Sequence, residues 1–439
     1  MHYDLIIRHG LCLFPWGAEE TDIGVLNGRI ATLDARMTDT AEREIDARHL
    51  HVLPGMIDAH VHFRDPGDAS IESMASGTRG AALGGITTIF DMPNTTPSIT
   101  SAEAIADKAA RVGASCLVDI GLYVGATRAN TPDLAALERL PGVCAVKLFA
   151  GSSTGDLMIE DDDGIEAVMR SGHRRIAFHS EDEYRLQARR KLFETGQPYA
   201  THMLWRDEEC AFLGTRRIVA LARKTNRPAH ILHVSTAEEL DYLADHREIA
   251  SCEVLVNHLT QVAPECYEAL GGLAVMNPPI RDRRHYDASW AAIRDGRVDV
   301  VSSDHAPHAL AAKTRPWPDC PAGLTGVQTL LPIMLDHVAQ GRLSLGRLVD
   351  LMAAGPARIY GLQTKGRLAV GFDADFTLVD LRERRTIRND WIASPVAWTP
   401  FDGLDVTGWP VATIVRGHVV MQDDEITSPP IGRLARFAP

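Results

Sequence analysis

The chain has 439 residues, 45% of them apolar and 23% charged, with a formal net charge of −13. This is the balance of a soluble globular protein, long enough for one large core and a smaller domain. The acidity excludes a nonspecific nucleic-acid binder, which needs excess Lys and Arg, but a few local cations can still hold an anionic substrate.

In chain order, the first segments alternate apolar stretches with Gly and Asn turns: YDLIIRHGLCLF, DIGVLNGRIATLDA and EREIDARHLHVLPG. They predict short strands. Eight apolar runs follow, separated by helix-like stretches such as SAEAIADKAARV and ECAFLGTRRIVALARKT. The runs are LPGMIDAHVHF, GITTIFDMPN, LVDIGLYVG, CAVKLFAG, RIAFHSED, RPAHILHVS, SCEVLVNHL and VDVVSSDHAPH. Eight successive β-α units predict an α/β fold of the (β/α)8 TIM-barrel type, whose chemistry gathers at the C-terminal strand ends. The late stretches KGRLAVGFDADFTLVDL and WPVATIVRGHVVMQDDEI are again strand-rich. The expected division is a small β-sandwich domain from residues 1–53 and 365–439, and a barrel from 54–364.

The seven cysteines, Cys12, Cys116, Cys144, Cys210, Cys252, Cys266 and Cys320, form no C-x-x-C pair. They predict reduced, mostly buried thiols rather than a disulfide framework or zinc ribbon. The opening MHYDLIIRHG lacks a basic segment followed by a long apolar run, so no signal peptide is expected there, and no apolar run is long enough to span a bilayer. A soluble cytoplasmic protein is expected.

Several residues carry chemistry. His60 and His62, two apart on a strand, share one face and suit a transition metal. His179, His233 and Asp304 each end another apolar run. A lone histidine is usually a satisfied core or rim residue, but four histidines and an aspartate at one end of successive strands favour a binuclear site. Lys147 sits inside the apolar run CAVKLFAG. It either snorkels to the rim or pairs with a carboxylate, or burial lowers its pKa so that the neutral amine takes up carbon dioxide as a metal-bridging carbamate.

The stretches LPGMIDAHVHFRDPG, DMPNTTP, VKLFAGSSTGDL, HSED, HVST, MNPPIR, SSDHAPH, PAGLTG and GWPVATIVRG are ordered along nearly the whole chain. Through them the sequence resembles the amidohydrolase superfamily and, within it, the dihydroorotases, of the carbamylated-lysine binuclear type. The resemblance implies two divalent metals, zinc being the expected ion. His60 and His62 resemble ligands of one metal, His179 and His233 ligands of the other, and carbamylated Lys147 the bridge. Asp304 resembles a metal ligand and the catalytic proton shuttle. Arg64, Asn94 and His308 resemble the clamp for a substrate carboxylate, with Asn277 and Gly323 as further substrate contacts. The implied activity is reversible hydrolysis of dihydroorotate to N-carbamoyl-aspartate by a metal-bridging hydroxide, in pyrimidine biosynthesis. A homodimer with a small-molecule substrate, no nucleic acid and no membrane is expected.

Arg64 and His308 weigh against the related hydantoinases and allantoinases, because a charged clamp needs a charged ligand. A catalytically silent scaffold is the other alternative, set against a complete ligand set. Two details depart from the family pattern. Val256-Asn257-His258 stands where Pro-His-His is common, and Gln328 where Glu is common; both bear on substrate tuning. Residues 309–322, polar and Pro-rich, read equally well as a mobile cover or an ordinary surface loop.

Overall fold

The computed structural model describes residues 2–152 and 157–438. Residues 153–156, inside the VKLFAGSSTGDL stretch, lie outside the described residues.

The N-terminal strands are β1 (His2–Phe14), β2 (Gly17–Leu26), β3 (Arg29–Asp34), β4 (Thr40–Asp46) and β5 (His51–Pro54). Eight further strands make the barrel: β6 (Met56–Val61), β7 (Ile86–Asp91), β8 (Asp119–Gly125), β9 (Val143–Phe149), β10 (Ile176–His179), β11 (Ala229–Ile231), β12 (Ala250–Leu255) and β13 (Val300–Ser302). They run in the order β13 to β6 with every neighbouring pair parallel. Each is buried along its length, as a strand covered on both faces must be, which is why the runs read as continuous apolar sequence. The surrounding helices carry their own start signals. Ser101 caps Ala102–Ser115 by accepting from the Ala104 N–H, and Asp207 caps Glu208–Thr225 by accepting from that of Cys210.

The ring closes between its first and last strands with few backbone bonds. Val61 bridges His305, and the His62 N–H donates to the His305 carbonyl at 2.7 Å. The buried Asp58 carboxylate reinforces the seam, accepting from the Ser303 N–H at 3.1 Å and from its hydroxyl.

After the barrel come β14 (Phe376–Thr386), β15 (Asp405–Val415), β16 (His418–Gln422) and β17 (Glu425–Ile426). They join the N-terminal strands in one mixed nine-stranded sheet, β5 pairing with β14 at the junction. Leu5, Ile23, Val25 and Val52 from one chain end share a buried apolar cluster with Phe376 and Ile414 from the other. The last residues leave this sheet and pack under the barrel. Ile120 donates to the Arg433 carbonyl and accepts from Ala435, while Phe437 meets Phe90 edge to face.

Two local expectations are revised. The run SCEVLVNHL is a strand only to Leu255; Val256–Thr260 is a short helix, so Asn257 and His258 leave the strand direction. Residues 309–322, open between a mobile cover and a surface loop, keep exposed positions such as Leu310 and Arg315 but are pinned by buried Lys313, Trp317 and Cys320. All seven cysteines are free and buried. Among the described residues no helix is long and apolar enough to cross a membrane.

Candidate functional site

The strand ends carry His60, Lys147 and His179 on β6, β9 and β10; His62, His233 and Asp304 follow β6, β11 and β13 closely. All six border one cavity. Lys147 lies level with Gly125 on β8 and Ala177 on β10, two small neighbours that leave room for its long side chain inside the ring. His233 and Asp304 have positive φ values of 39° and 50°. For non-glycine residues this is a strained backbone, of the kind that persists where surrounding structure holds a side chain in a required direction.

The ligand-capable atoms converge. His60 Nε2 lies 3.2 Å from His62 Nε2, and both approach Asp304 Oδ1, at 3.2 and 3.1 Å. His179 Nδ1 lies 3.0 Å from His233 Nε2. His60, His233 and Asp304 offer ligand atoms all within 4.8 Å of one another. Outward-facing nitrogens are taken up by other groups: His60 Nδ1 by Glu253 at 2.7 Å, His62 Nδ1 by Asn94 Oδ1 at 2.6 Å, and His179 Nε2 by Glu181 at 2.9 Å. Such outer partners fix the ring direction and leave the inner nitrogen to a metal.

Lys147 completes the test of fit. It is fully buried, and its Nζ has no hydrogen-bond partner among the described residues, resting 4.3 Å from the Phe149 ring centroid. Burial lowers its pKa to about 7, against the pull of Asp304 and Glu253. An orphaned amine that is substantially neutral near pH 7, lining the same cavity as the four histidines, is chemically suited to take up carbon dioxide as a carbamate. Burial lowers His62 to about 4, and burial lowers His179 as well, so both are neutral imidazoles fit for ligation. Burial also opposes charge on His60, but Asp304 and Glu253 outweigh it and raise its pKa. Burial opposes ionisation of Asp304, yet His60, His62 and Lys147 hold it down at about 2.

The rim holds the remaining predicted residues. Arg64, Asn94, Asn277 and Gly323 line the same cavity, and His308 borders an outer cleft together with Arg64 and Asn94. Arg64 donates to the Pro307 carbonyl at 3.1 Å. His308 donates through Nε2 to the Ala322 carbonyl at 3.0 Å. At Gly323, φ is +141° and a Cβ would fall 2.5 Å from the Ala306 carbonyl and 2.9 Å from His308 Nε2, so glycine is required. Asn257 and His258 do not line this cavity, and Gln328 bonds instead to Trp391 and Ala393.

Sequence reasoning missed the groups that orient the cluster. Glu253 is a buried acid in the middle of an apolar strand, a visible anomaly that had no motif to explain it. Glu181 sits two residues beyond His179 inside HSED, and buried Arg206 pairs with it at 3.1 Å. Arg206 carries no local signal, since only the tertiary fold brings it there. A second group, Glu208, Asp282 and His285, is also close enough for a cation. There Asp282 caps a helix and His285 Nδ1 accepts from the Ala237 N–H, so local structure accounts for it.

A parallel eight-stranded barrel with histidines, a lysine and an aspartate at its C-terminal strand ends has the layout of a barrel enzyme's active centre. Residues 51–420 match the model of the amidohydrolase family, and the chain belongs to that family. It is 38% identical over 379 residues to the dihydroorotase of Halobacterium salinarum, covering 86% of this chain and 88% of that one. It is 33% identical to the allantoinase of Deinococcus radiodurans, covering 99% of both chains. Its structure superposes on L-hydantoinase from Arthrobacter aurescens with a TM-score of 0.94, at 29% identity and 99% coverage of each.

Proposed function

We propose that this chain is a metal-dependent cyclic amidohydrolase that reversibly hydrolyses dihydroorotate to N-carbamoyl-aspartate in pyrimidine biosynthesis. The observation that carries the ring assignment is that Arg64 borders the same small cavity as Lys147, His233 and Asp304. A guanidinium there can hold a carboxylate through two parallel hydrogen bonds while the ring lies over the ligand cluster. Neutral hydantoin offers no such group.

The residues that would hold two divalent ions, zinc in this reading, are His60, His62, His179, His233 and Asp304, with Lys147, as its carbamate, the sixth. When bound, such ions polarise the amide carbonyl and supply hydroxide at neutral pH by lowering the pKa of water from 15.7 to about 7. The rest falls to the chain. Asp304, ionised over the working pH range, accepts the proton of the attacking group and returns it to the leaving ring nitrogen. Arg64 and Asn94 hold the substrate carboxylate, and His308 joins them by turning its Nε2–H from the Ala322 carbonyl to the ligand, making attack a positioned event. Asn94 serves twice, since its Oδ1 also fixes the His62 ring. Gly323 keeps the wall open for the ring.

The test is turnover of dihydroorotate, hydantoin and allantoin side by side by the purified, zinc-supplemented protein. The allantoinase and hydantoinase relatives make the last two the necessary arms. Preference for dihydroorotate is expected. Preference for a neutral ring overturns the clamp assigned to Arg64 and His308; no turnover with metal bound overturns the enzymatic reading.

A further inference from the structure

We infer that His202 and Trp317, neither of which lines the substrate cavity, form a relay that fixes the Asn277 side-chain amide so that it offers N–H, not C=O, to the ring. The inference rests on the cyclic-amide reading of the site. It deepens that reading by naming the feature that Asn277 reads: a carbonyl oxygen of the ring and not a ring N–H.

The argument follows from what each group can donate. An indole nitrogen is a donor only. Trp317 Nε1 lies 3.3 Å from His202 Nδ1, so that nitrogen is the bare acceptor of the imidazole. A neutral imidazole with Nδ1 bare carries its hydrogen on Nε2. His202 is buried; burial first, then Arg206, lower its pKa to about 3, so it is neutral at any working pH. Its Nε2–H points between the Met276 carbonyl at 3.0 Å and Asn277 Oδ1 at 2.9 Å. Were the Asn277 amide reversed, its NH2 would face this N–H, donor against donor. The oxygen is therefore held by His202, and Nδ2 is left for the cavity that Asn277 lines.

The frame around the relay is rigid. Trp317 lies edge to face with Phe193 and Trp205, and its carbonyl accepts from the Gly196 N–H at 2.7 Å. From the same segment, buried Lys313 donates to the carbonyls of Val275, Pro321 and Gly323 at 2.8, 2.8 and 2.9 Å. The Gly323 N–H donates to Val275 as well, at 3.0 Å. Lys313 thus sets the backbone on which Asn277 stands, and His202 sets the amide. Residues 310–317 work as a strut behind the cavity wall.

Two measurements test this. The first needs no substrate: nitrogen-15 shifts of the His202 ring at neutral pH, assigned by their loss in His202→Gln. Protonated Nε2 and bare Nδ1 are expected; the opposite tautomer overturns the relay. The second uses whichever of the three rings the wild type opens. His202→Leu should raise KM about tenfold, the worth of one hydrogen bond to a bound ligand, with a smaller change in kcat. His202→Gln, which keeps a donor, should recover most of the loss, and Trp317→Phe should fall between. In an Asn277→Ala background His202→Leu should add nothing. Equal, additive losses in both backgrounds, or Gln as harmful as Leu, overturn the relay. Preference for a ring other than dihydroorotate would overturn the substrate assignment alone, leaving the relay to stand or fall on its own two readouts.

Discussion

At the scale of single residues, the site combines ligand-capable atoms with buried groups that hold them. Asp304 is held ionised and faces both His60 and His62, so Asp304→Asn keeps the shape while removing the proposed base. Turnover should fall about a thousandfold with metal content largely kept, checked by steady-state kinetics and metal analysis of one preparation. Near-normal turnover would end its assignment as shuttle. Arg64→Met should raise KM for dihydroorotate with little change in kcat, because it removes binding shared by ground and transition states. An unchanged KM would count against the clamp. Glu253→Gln loosens the His60 ring and should weaken metal binding about 10- to 100-fold, read by chelator competition.

At the scale of elements, the barrel is sealed and braced by side chains where backbone pairing is thin. β6 and β13 are joined largely through Asp58 and Ser303, and burial raises the Asp58 pKa to about 6. Asp58→Ala leaves buried donors unsatisfied and should cost about 2 to 4 kcal/mol in urea unfolding. Loss of less than half a kcal/mol would mean the seam is held elsewhere. Lys313 is the counterpart for residues 309–322, which it ties to two neighbouring loops. Lys313→Met should speed proteolytic cleavage within that segment before global unfolding. An unchanged cleavage rate would show that other contacts, such as the Tyr199 hydroxyl donating to the Arg315 carbonyl, hold it without Lys313.

At the scale of the whole molecule, the interior stores neutral histidines. Burial lowers His337 and His258 to about 4, and His202 and His308 to about 3. The unfolded chain binds these protons near pH 6.5, whereas the folded one does not until lower pH. Unfolding therefore takes up protons between about pH 4 and 6.5, and stability rises with pH across that window. Each such group costs up to about 3 kcal/mol at the acid end. The melting temperature should fall steeply as pH drops from 6.5 towards 4. His337, remote from the site and bonded to Thr260, gives the control: His337→Gln should flatten the slope. A flat profile in the wild type would refute the assignment.

The sequence alone determined the succession of elements and six groups of the candidate centre. Strands buried on both faces must be apolar, so polar residues at the ends of His60-Val61-His62, Lys147, His179, His233 and Asp304 runs stand out without any structure. It also determined that both chain ends are strand-rich, because alternation and turn residues are local signals. Only the tertiary structure decided which distant residues serve those groups. Glu253, Arg206, His202 and Lys313 act through contacts spanning up to 193 residues, as between His60 and Glu253. Neither periodicity nor motif encodes such a contact. It was likewise the fold that turned residues 309–322 from a polar stretch into a strut, since its anchor points on Val275 and Gly323 are backbone carbonyls, identical in every sequence and placed only by packing.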